Sequence, residues 1–374
     1  MDCFLEIVFF TLIGCFTLLI FLAILLPLSK DRKSELSSSK LRLEELTLVI
    51  PYRNEINRIS LLLDALKGQN KLPNTIIFVD DHSDDETAHF IKSSLENLSC
   101  EVLFLSLPDT LKGKKQAILL GVKNATTKFV HTMDADVFMD ADFFQNLEKI
   151  EDADMLILPV NMKGKGFAGN LMELEYGSFQ LIQRAFGKQK PMMASGANLI
   201  FNRTSYLEIN KVNEHVHFAS GDDQFALNAF LNINKNVRVL FEDEFRVNTF
   251  VPETIKELYQ QRLRWMSKNK ELFEWKGFLL SCWQFSIQFL FLFLLICFLI
   301  KKPFFDVFLL VLMKIIAEMI QFLLILIKKD KIHLIIFLPI LSLIYPIYLV
   351  SLAFLSIFYR PLWKDRKLVE KVGN

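Results

Sequence analysis

The sequence predicts an α/β domain built on a mostly parallel sheet and flanked by apolar segments long enough to cross a membrane. Three observations carry this. Short apolar runs alternate with helix-patterned stretches through the first half of the chain's middle. Acidic residues follow two of those runs directly, and parallel sheets bind their ligands beyond the carboxyl ends of the strands. The 374-residue chain is 52% hydrophobic with 36 Phe, and the excess lies at its two ends.

At the front, residues 7–28 are apolar and uncharged, long enough for a spanning helix. A cleaved secretory signal is the alternative, but the run is long for one and Asp2 and Glu6 precede it rather than Lys or Arg. An anchor over residues 1–29 is therefore expected, followed by a basic linker over 30–45 with Lys30, Arg32, Lys33, Lys40 and Arg42. The positive-inside bias then places the next segment, a domain over 46–278, in the cytoplasm.

Within that domain "LTLVIPY", "TIIFVDD", "EVLFLSL", "KFVHTM" and "ADMLILPV" read as strands. Helices are expected between them: around 61–66, after Asp84-Asp85-Glu86, and in "GKKQAILLGVKNA" entered through Gly113. Residues 166–186 are amphipathic in parts and read equally as a membrane-surface helix or a core helix. Beyond 278 come apolar runs over 279–300, 304–327 and 332–358, a membrane region of about three helices over 279–359, then a basic tail over 360–374. Three full crossings would leave that tail outside, against the positive-inside bias; a re-entrant or interfacial run is the alternative. Lys314 and Glu318, four apart on one helix face, read as an internal ion pair. Pro339 and Pro346 are expected to kink the last run. The five cysteines form neither a disulfide framework nor a zinc spacing. A net charge of +1 gives no hint of a nucleic-acid partner.

The stretch "MDADVFMDADFF" holds two Asp-Ala-Asp triplets. Asp134 and Asp136 come directly off a strand end and are expected to hold a metal; Asp140 and Asp142 precede a helical pattern, and Asp142 reads as its N-cap. A carboxylate pair with few other ligands suits Mg2+ or Mn2+ bound to substrate phosphates. No Walker-type glycine loop accompanies it. Such a site suits displacement at a sugar anomeric carbon with a nucleoside diphosphate leaving. Asp80 and Asp81 could then bond the nucleoside, and Lys114 the base or phosphates, although Lys114-Lys115 also reads as a solvated helix start. Asp222-Asp223 are adjacent acids, one of which could serve as general base; they also read as a helix N-cap pair. In "QRLRW", Gln261 and Arg264 share a helix face, Arg can grip phosphate, and Trp265 offers a surface for a sugar ring. A membrane-proximal amphipathic helix is the plainer reading of that stretch.

Taken in order, "VIPYRNE" (49–55), "VDDHSDDET" (79–87), "GKKQAILLG" (113–121), "MDADV" (133–137), "SGAN" (195–198), "GDDQF" (221–225) and "QRLRW" (261–265) resemble the family 2 inverting GT-A glycosyltransferases. That group includes cellulose, chitin and hyaluronan synthases and ceramide glucosyltransferase. The resemblance implies a GT-A, Rossmann-like nucleotide-sugar-binding domain. It implies that Pro51, Glu55 and Asp81 line the nucleoside pocket with Asp80 beside them, and that Lys114 lies near the nucleotide. It places Asp134 and Asp136 at the nucleotide sugar and metal, with Asp136 the more direct ligand. Ser195, Gly196, Ala197 and Asn198 would lie near the acceptor, with Asp222 beside them. Asp223 would be the catalytic base, and Gln261, Arg264 and Trp265 would flank the diphosphate and acceptor. The sequence departs from the family pattern at His82, Leu119 and Asp222, where Gly, Asn and Glu are common.

The expected function is transfer of a hexose from a nucleoside-diphosphate sugar, UDP-linked, to a hydroxyl of a lipid-linked or glycan acceptor. The enzyme would be a multi-pass protein of a bacterial inner membrane. A processive polysaccharide synthase is the alternative within the family, and about four apolar segments is sparse for a self-contained channel. A non-catalytic scaffold that binds a nucleotide sugar is the alternative outside it. A transporter is disfavoured by the lack of paired half-repeats. Nothing in the sequence names a protein partner.

Overall fold

The structure is a computed structural model and describes residues 39–96, 98–187, 191, 193–212, 222–271, 275–301, 304–328, 331–358, 362–363 and 366–367. The anchor expected over 1–29, most of the linker and most of the basic tail lie outside the described residues. The chain divides into two compact units.

The first unit takes in the described residues of 39–162, 187–250 and 362–367. Among its described residues the strands are β1 (Leu46–Tyr52), β2 (Thr75–Asp80), β3 (Glu101–Ser106), β4 (Phe129–Met133), β5 (Met155–Ile157), β6 (Val160–Lys163, its last residue at the unit's edge), β7 (Asn198–Asn202), β8 (Val237–Val239), β9 (Val247–Phe250) and a short antiparallel pair, β10 (Leu362–Trp363) and β11 (Arg366–Lys367). Seven of them form one sheet in the order β3-β2-β1-β4-β7-β5-β8, and β6 pairs with β9. The pairs β1–β2, β2–β3, β1–β4 and β5–β8 are parallel; β7 runs antiparallel to both β4 and β5. This is an α/β fold with a mostly parallel sheet.

The apolar runs are continuous because both faces of the sheet are covered. Alternate residues of one strand point to opposite sides: Leu46, Leu48 and Ile50 join one buried cluster, and Val49 joins the other. The second cluster packs the sheet against the helix Lys114–Asn124, where Gly121 faces Val49: a Cβ there would sit 2.4 Å from Val49 Cγ1. The parallel register aligns the strand ends, pairing Tyr52 with Asp80 and Asp80 with Ser106. The acids after β2 and β4 therefore leave the sheet on one edge.

Two expectations differ in detail. "ADMLILPV" makes two strands: β5 ends at Ile157, Leu158 donates its N–H to the Asn198 carbonyl, and β6 begins after Pro159, which has no N–H to give. Asp142 does occupy the N-cap position of the helix Phe143–Leu147, but its side chain makes no cap; it accepts a hydrogen bond from Asn70 Nδ2 at 2.5 Å.

The second unit gathers residues 163–186 and 251–358. It contains the helices Gly166–Gly187, Ile255–Glu271, Trp275–Lys301, Phe304–Lys328 and Leu338–Phe358. The stretches 163–186 and 251–278, expected to belong to the α/β domain, thus cluster with the apolar helices. Among the described residues one helical segment, Ile332–Phe358, is long and apolar enough to cross a membrane; a shorter apolar helix covers Ser281–Cys297. Large apolar side chains on these helices stay exposed, including Ile300, Phe305, Ile336, Phe354 and Phe358. Lys314 is buried and pairs with Glu318, with Ser342 Oγ 3.2 Å from its Nζ and the Phe291 ring 5.2 Å away. That is the internal pair the four-residue spacing suggested. Pro346 lies inside the helix Leu338–Phe358.

Candidate active site

The site is built at the edge where β2 and β4 end. At the end of β2, Asp80 turns its Oδ1 back to accept the N–H and the hydroxyl of Ser83, at 2.9 and 2.6 Å. Between them His82 takes a left-handed backbone with φ 56°, a conformation that is free of strain for glycine. His82 Nε2 lies 2.9 Å from the Leu111 carbonyl. Asp81 is 1% exposed, and both its carboxylate oxygens accept the Gly113 N–H, at 3.0 and 3.1 Å. Gly113 itself has φ 98°. Asp81 therefore pins the loop from which the lysine-bearing helix starts. Pro51 is buried in β1 opposite Val79.

After β4, Asp134 and Asp136 flank a buried Ala135. Lys114 Nζ lies 2.5 Å from Asp134 Oδ1 with its own side chain 19% exposed. Lys115 is buried, with its ammonium 5.7 Å from the Phe225 ring centroid. The solvated reading of this lysine pair does not hold. Arg58 bridges Glu55, at 2.8 Å, and Asp136, at 3.3 Å. Burial, then the neighbouring charges of Asp134 and Glu55, push the Asp136 carboxyl up to about 6, against the opposing pull of Arg58 and Lys114. The cluster carries surplus negative charge that its own cations only partly offset. Among the described residues no group of three or more His, Cys, Asp or Glu side chains gathers as a metal cage.

Asp223 lies near the start of the helix Asp222–Asn232. Its Oδ2 accepts the Gly196 N–H at 3.2 Å, its Oδ1 accepts the Gln224 N–H at 2.8 Å, and Gln224 Oε1 accepts the Ala194 N–H at 3.3 Å. Ser195 Oγ accepts the Ala197 N–H at 3.4 Å. The loop held by Asp223 runs directly into β7, whose first residue, Asn198, is the register partner of Met133, the residue before Asp134. Asp223 and the Asp134–Asp136 pair are thereby brought to one sheet edge. The side chain of Asp222 lies outside the described residues.

Asn198 is fully buried, and all its polar atoms are engaged. It donates to the carbonyls of Pro159 and Phe245 at 2.9 and 3.0 Å, and its Oδ1 lies 2.9 Å from His131 Nε2. It bolts the 195–197 loop to the core and has no side-chain polar atom left for a substrate. Burial pushes the His131 ring down to about 4, against the hydrogen bond to Asn198.

Gln261, Arg264 and Trp265 lie on the helix Ile255–Glu271 of the second unit. Trp265 has the guanidinium of Arg262 4.2 Å from its ring centroid, Phe179 edge-on at 5.7 Å and Tyr176 at 6.3 Å. Sequence reasoning missed Arg58, Glu175 and Arg262. Arg58, three residues from Glu55, could have been found from the i, i+3 spacing.

Comparison with known proteins agrees with this architecture. The profile described as "Glycosyl transferase family 2" matches residues 47–209, and that described as "Glycosyl transferase family group 2" matches residues 129–358. Poly-beta-1,6-N-acetyl-D-glucosamine synthase of Staphylococcus aureus (strain MSSA476) is 24% identical over 256 residues, which cover 65% of this chain and 58% of that protein. The protein of that name from Staphylococcus epidermidis is 22% identical over 254 residues, with the same shares covered. The chain spans 58% of the length of these curated relatives. A solved mannosyltransferase, PcManGT from Pyrobaculum calidifontis in complex with GDP-Man and Mn2+, superposes with a TM-score of 0.62 at 14% identity, covering 95% of this chain and 99% of that one, a likeness of fold. With more than half of its length matched by the group 2 profile, the chain belongs to glycosyl transferase family group 2.

Proposed function

We propose that the enzyme transfers a hexose from a nucleoside-diphosphate sugar, UDP-linked, to a hydroxyl group of a lipid-linked or glycan acceptor at a membrane, with inversion at the anomeric carbon. The observation that carries this reading is the bond from Gly196 N–H to Asp223 Oδ2. It fixes a carboxylate beside the edge at which Asp134 and Asp136 leave the sheet. One carboxylate faces the acceptor as general base, and the others face the donor.

Asp223 takes the proton of the acceptor hydroxyl as its oxygen attacks the anomeric carbon, and the nucleoside diphosphate leaves from the opposite face. Fixed backbone amides hold the base in place and reduce the reorganisation the step requires. Asp80, Asp81, Pro51 and Glu55 shape the nucleoside side, Asp81 by holding the Gly113 loop. Lys114 is placed to accept a phosphate as a partner beside Asp134. Ser195, Gly196, Ala197 and Asp222 are assigned to the acceptor side, with Asn198 in support. Gln261, Arg264 and Trp265 keep the donor and acceptor roles that the family resemblance implies.

The donor set suits Mg2+ or Mn2+. Its hard carboxylate oxygens belong to Asp136 and Asp134, and the surplus negative charge at Asp136 is what a dication would offset. Such an ion, when bound, would neutralise charge developing on the departing diphosphate. The superposed mannosyltransferase, solved with GDP-Man and Mn2+, supports this use of a metal.

Membrane attachment is supported by the apolar helices of the second unit, whose large exposed Phe, Ile and Leu side chains call for a non-aqueous cover. A second reading, processive synthesis of a polymer, is favoured by the names of the staphylococcal relatives. One experiment separates the two. Detergent-solubilised enzyme is offered a panel of UDP- and GDP-sugars with Mn2+, and the products are resolved by mass. A single added residue supports single transfer and a ladder supports a synthase. No product from any donor would remove both.

A further inference from the structure

We propose that Glu175 and Arg262 are positioning residues for transfer, a buried ion pair whose task is to hold Gln261 and Trp265 in their working orientation. The inference deepens the reading above and rests on Gln261 and Trp265 serving the donor and acceptor.

The pair is nearly sealed from water: the side chains of Arg262 and Glu175 are 3% and 5% exposed. Arg262 Nε lies 3.0 and 3.2 Å from the two Glu175 carboxylate oxygens, and Nη2 lies 2.5 Å from Oε2. Tyr348 adds its hydroxyl hydrogen to Glu175 Oε1 at 3.2 Å. A buried ion pair is a poor device for stability, because desolvating both charges offsets most of their attraction. Its value lies in direction. The guanidinium is a flat fork, and here each part of it is used. One edge is fixed by the carboxylate, Nη1 donates to Gln261 Oε1, and the plane lies against Trp265 with 4.2 Å from Cζ to the ring centroid. Arg262 and Trp265 are three apart on one helix, so they share a face. Phe179 and Tyr176, on the helix that carries Glu175, lie beside the indole with ring centroids 5.7 and 6.3 Å away.

The far side of the network is anchored to another helix. Tyr348 stands edge-on to Tyr259 at 5.3 Å, and the Tyr259 hydroxyl lies 2.6 Å from Ser351 Oγ. Three helices, Gly166–Gly187, Ile255–Glu271 and Leu338–Phe358, are thus tied through one carboxylate to the orientation of one indole ring. Lysine at position 262 would keep the charge but lose both the fork and the flat face.

The test uses the full chain in detergent and four variants. Removing one partner of a buried pair strands the other charge and could abolish folding. The main variant is therefore Glu175→Gln with Arg262→Met, which removes both charges and leaves Tyr348 an acceptor. Arg262→Lys, Trp265→Ala and the triple combination complete the set. The doubly neutral enzyme is expected to accumulate and melt like the wild type while kcat falls at least about tenfold and the donor KM changes less than about threefold. Adding Trp265→Ala to it should cost no more than Trp265→Ala alone, as expected for groups that act as one unit. Arg262→Lys is expected to fold and to lose kcat as well, and it decides the matter if the doubly neutral enzyme does not accumulate. Full kcat in Arg262→Lys or in the doubly neutral enzyme, or losses that simply multiply with that of Trp265→Ala, would overturn the inference while leaving the proposed function in place. A fully active Trp265→Ala enzyme would instead remove the assigned role of Trp265, and the inference with it.

Discussion

Asp223 Oδ2 accepts the amide hydrogen of Gly196 at 3.2 Å, two residues before Asn198 pairs with Met133 at the end of β4. This one bond ties the proposed base to the strand that delivers Asp134 and Asp136. Asp223→Asn keeps one oxygen for the Gly196 amide, loses the one that accepts the Gln224 amide, and cannot take a proton. It is expected to lower kcat by about 10²- to 10⁴-fold, the usual worth of a positioned base, while the lost hydrogen bond costs the fold only about 1 kcal/mol. Initial rates of nucleoside diphosphate release, paired with a melting curve, check it.

Lys114 reaches Asp134 at 2.5 Å while remaining 19% exposed. Lys114→Met should weaken donor binding about 10- to 100-fold, equivalent to about 1.5–3 kcal/mol for a charge-assisted bond. Because the pair is partly open to solvent, the fold should lose about 1 kcal/mol or less. Calorimetric titration with the nucleotide sugar, alongside thermal melting, separates the two effects.

His131 makes the fold sensitive to acid. Its ring is fully buried in β4, stacked at 5.9 Å on Phe143 and bonded to Asn198. Burial pushes it down to about 4 from an ordinary 6.5. Between those values the unfolded chain binds a proton that the folded chain does not, so stability is full above about pH 6.5 and falls as the pH drops towards 4. The loss across that window is about 3 kcal/mol from this ring alone. Denaturation at a series of pH values checks the slope, and His131→Gln should reduce it.

Gly121 packs its bare backbone on Val49, in a strand buried on both faces. Gly121→Val has no room for its side chain and is expected to cost about 1–3 kcal/mol through overpacking. Urea unfolding of the two proteins measures the difference.

Much of the α/β unit was legible in the sequence because its signals are local. The apolar runs of β1, β2 and β4 mark strands covered on both faces, and the acids after them mark the binding edge. Four features were not legible. The antiparallel insertion of β7 between β4 and β5 depends on pairing between residues far apart in the chain. The burial of Asn198 follows from that insertion, so the side chain of a residue expected near the acceptor is spent on bonds within the core. The break between β5 and β6 at Pro159 turned one expected strand into two. Arg262 was given no role within "QRLRW" because its partner Glu175 lies 87 residues earlier.

The most direct test of the central claim is to follow nucleoside diphosphate release and the anomeric configuration of the product together, by NMR, for the wild type and Asp223→Asn. The account predicts stoichiometric release, a product of inverted configuration from the wild type, and both signals lost in the variant. A product of retained configuration, or an Asp223→Asn enzyme as fast as the wild type, would contradict it.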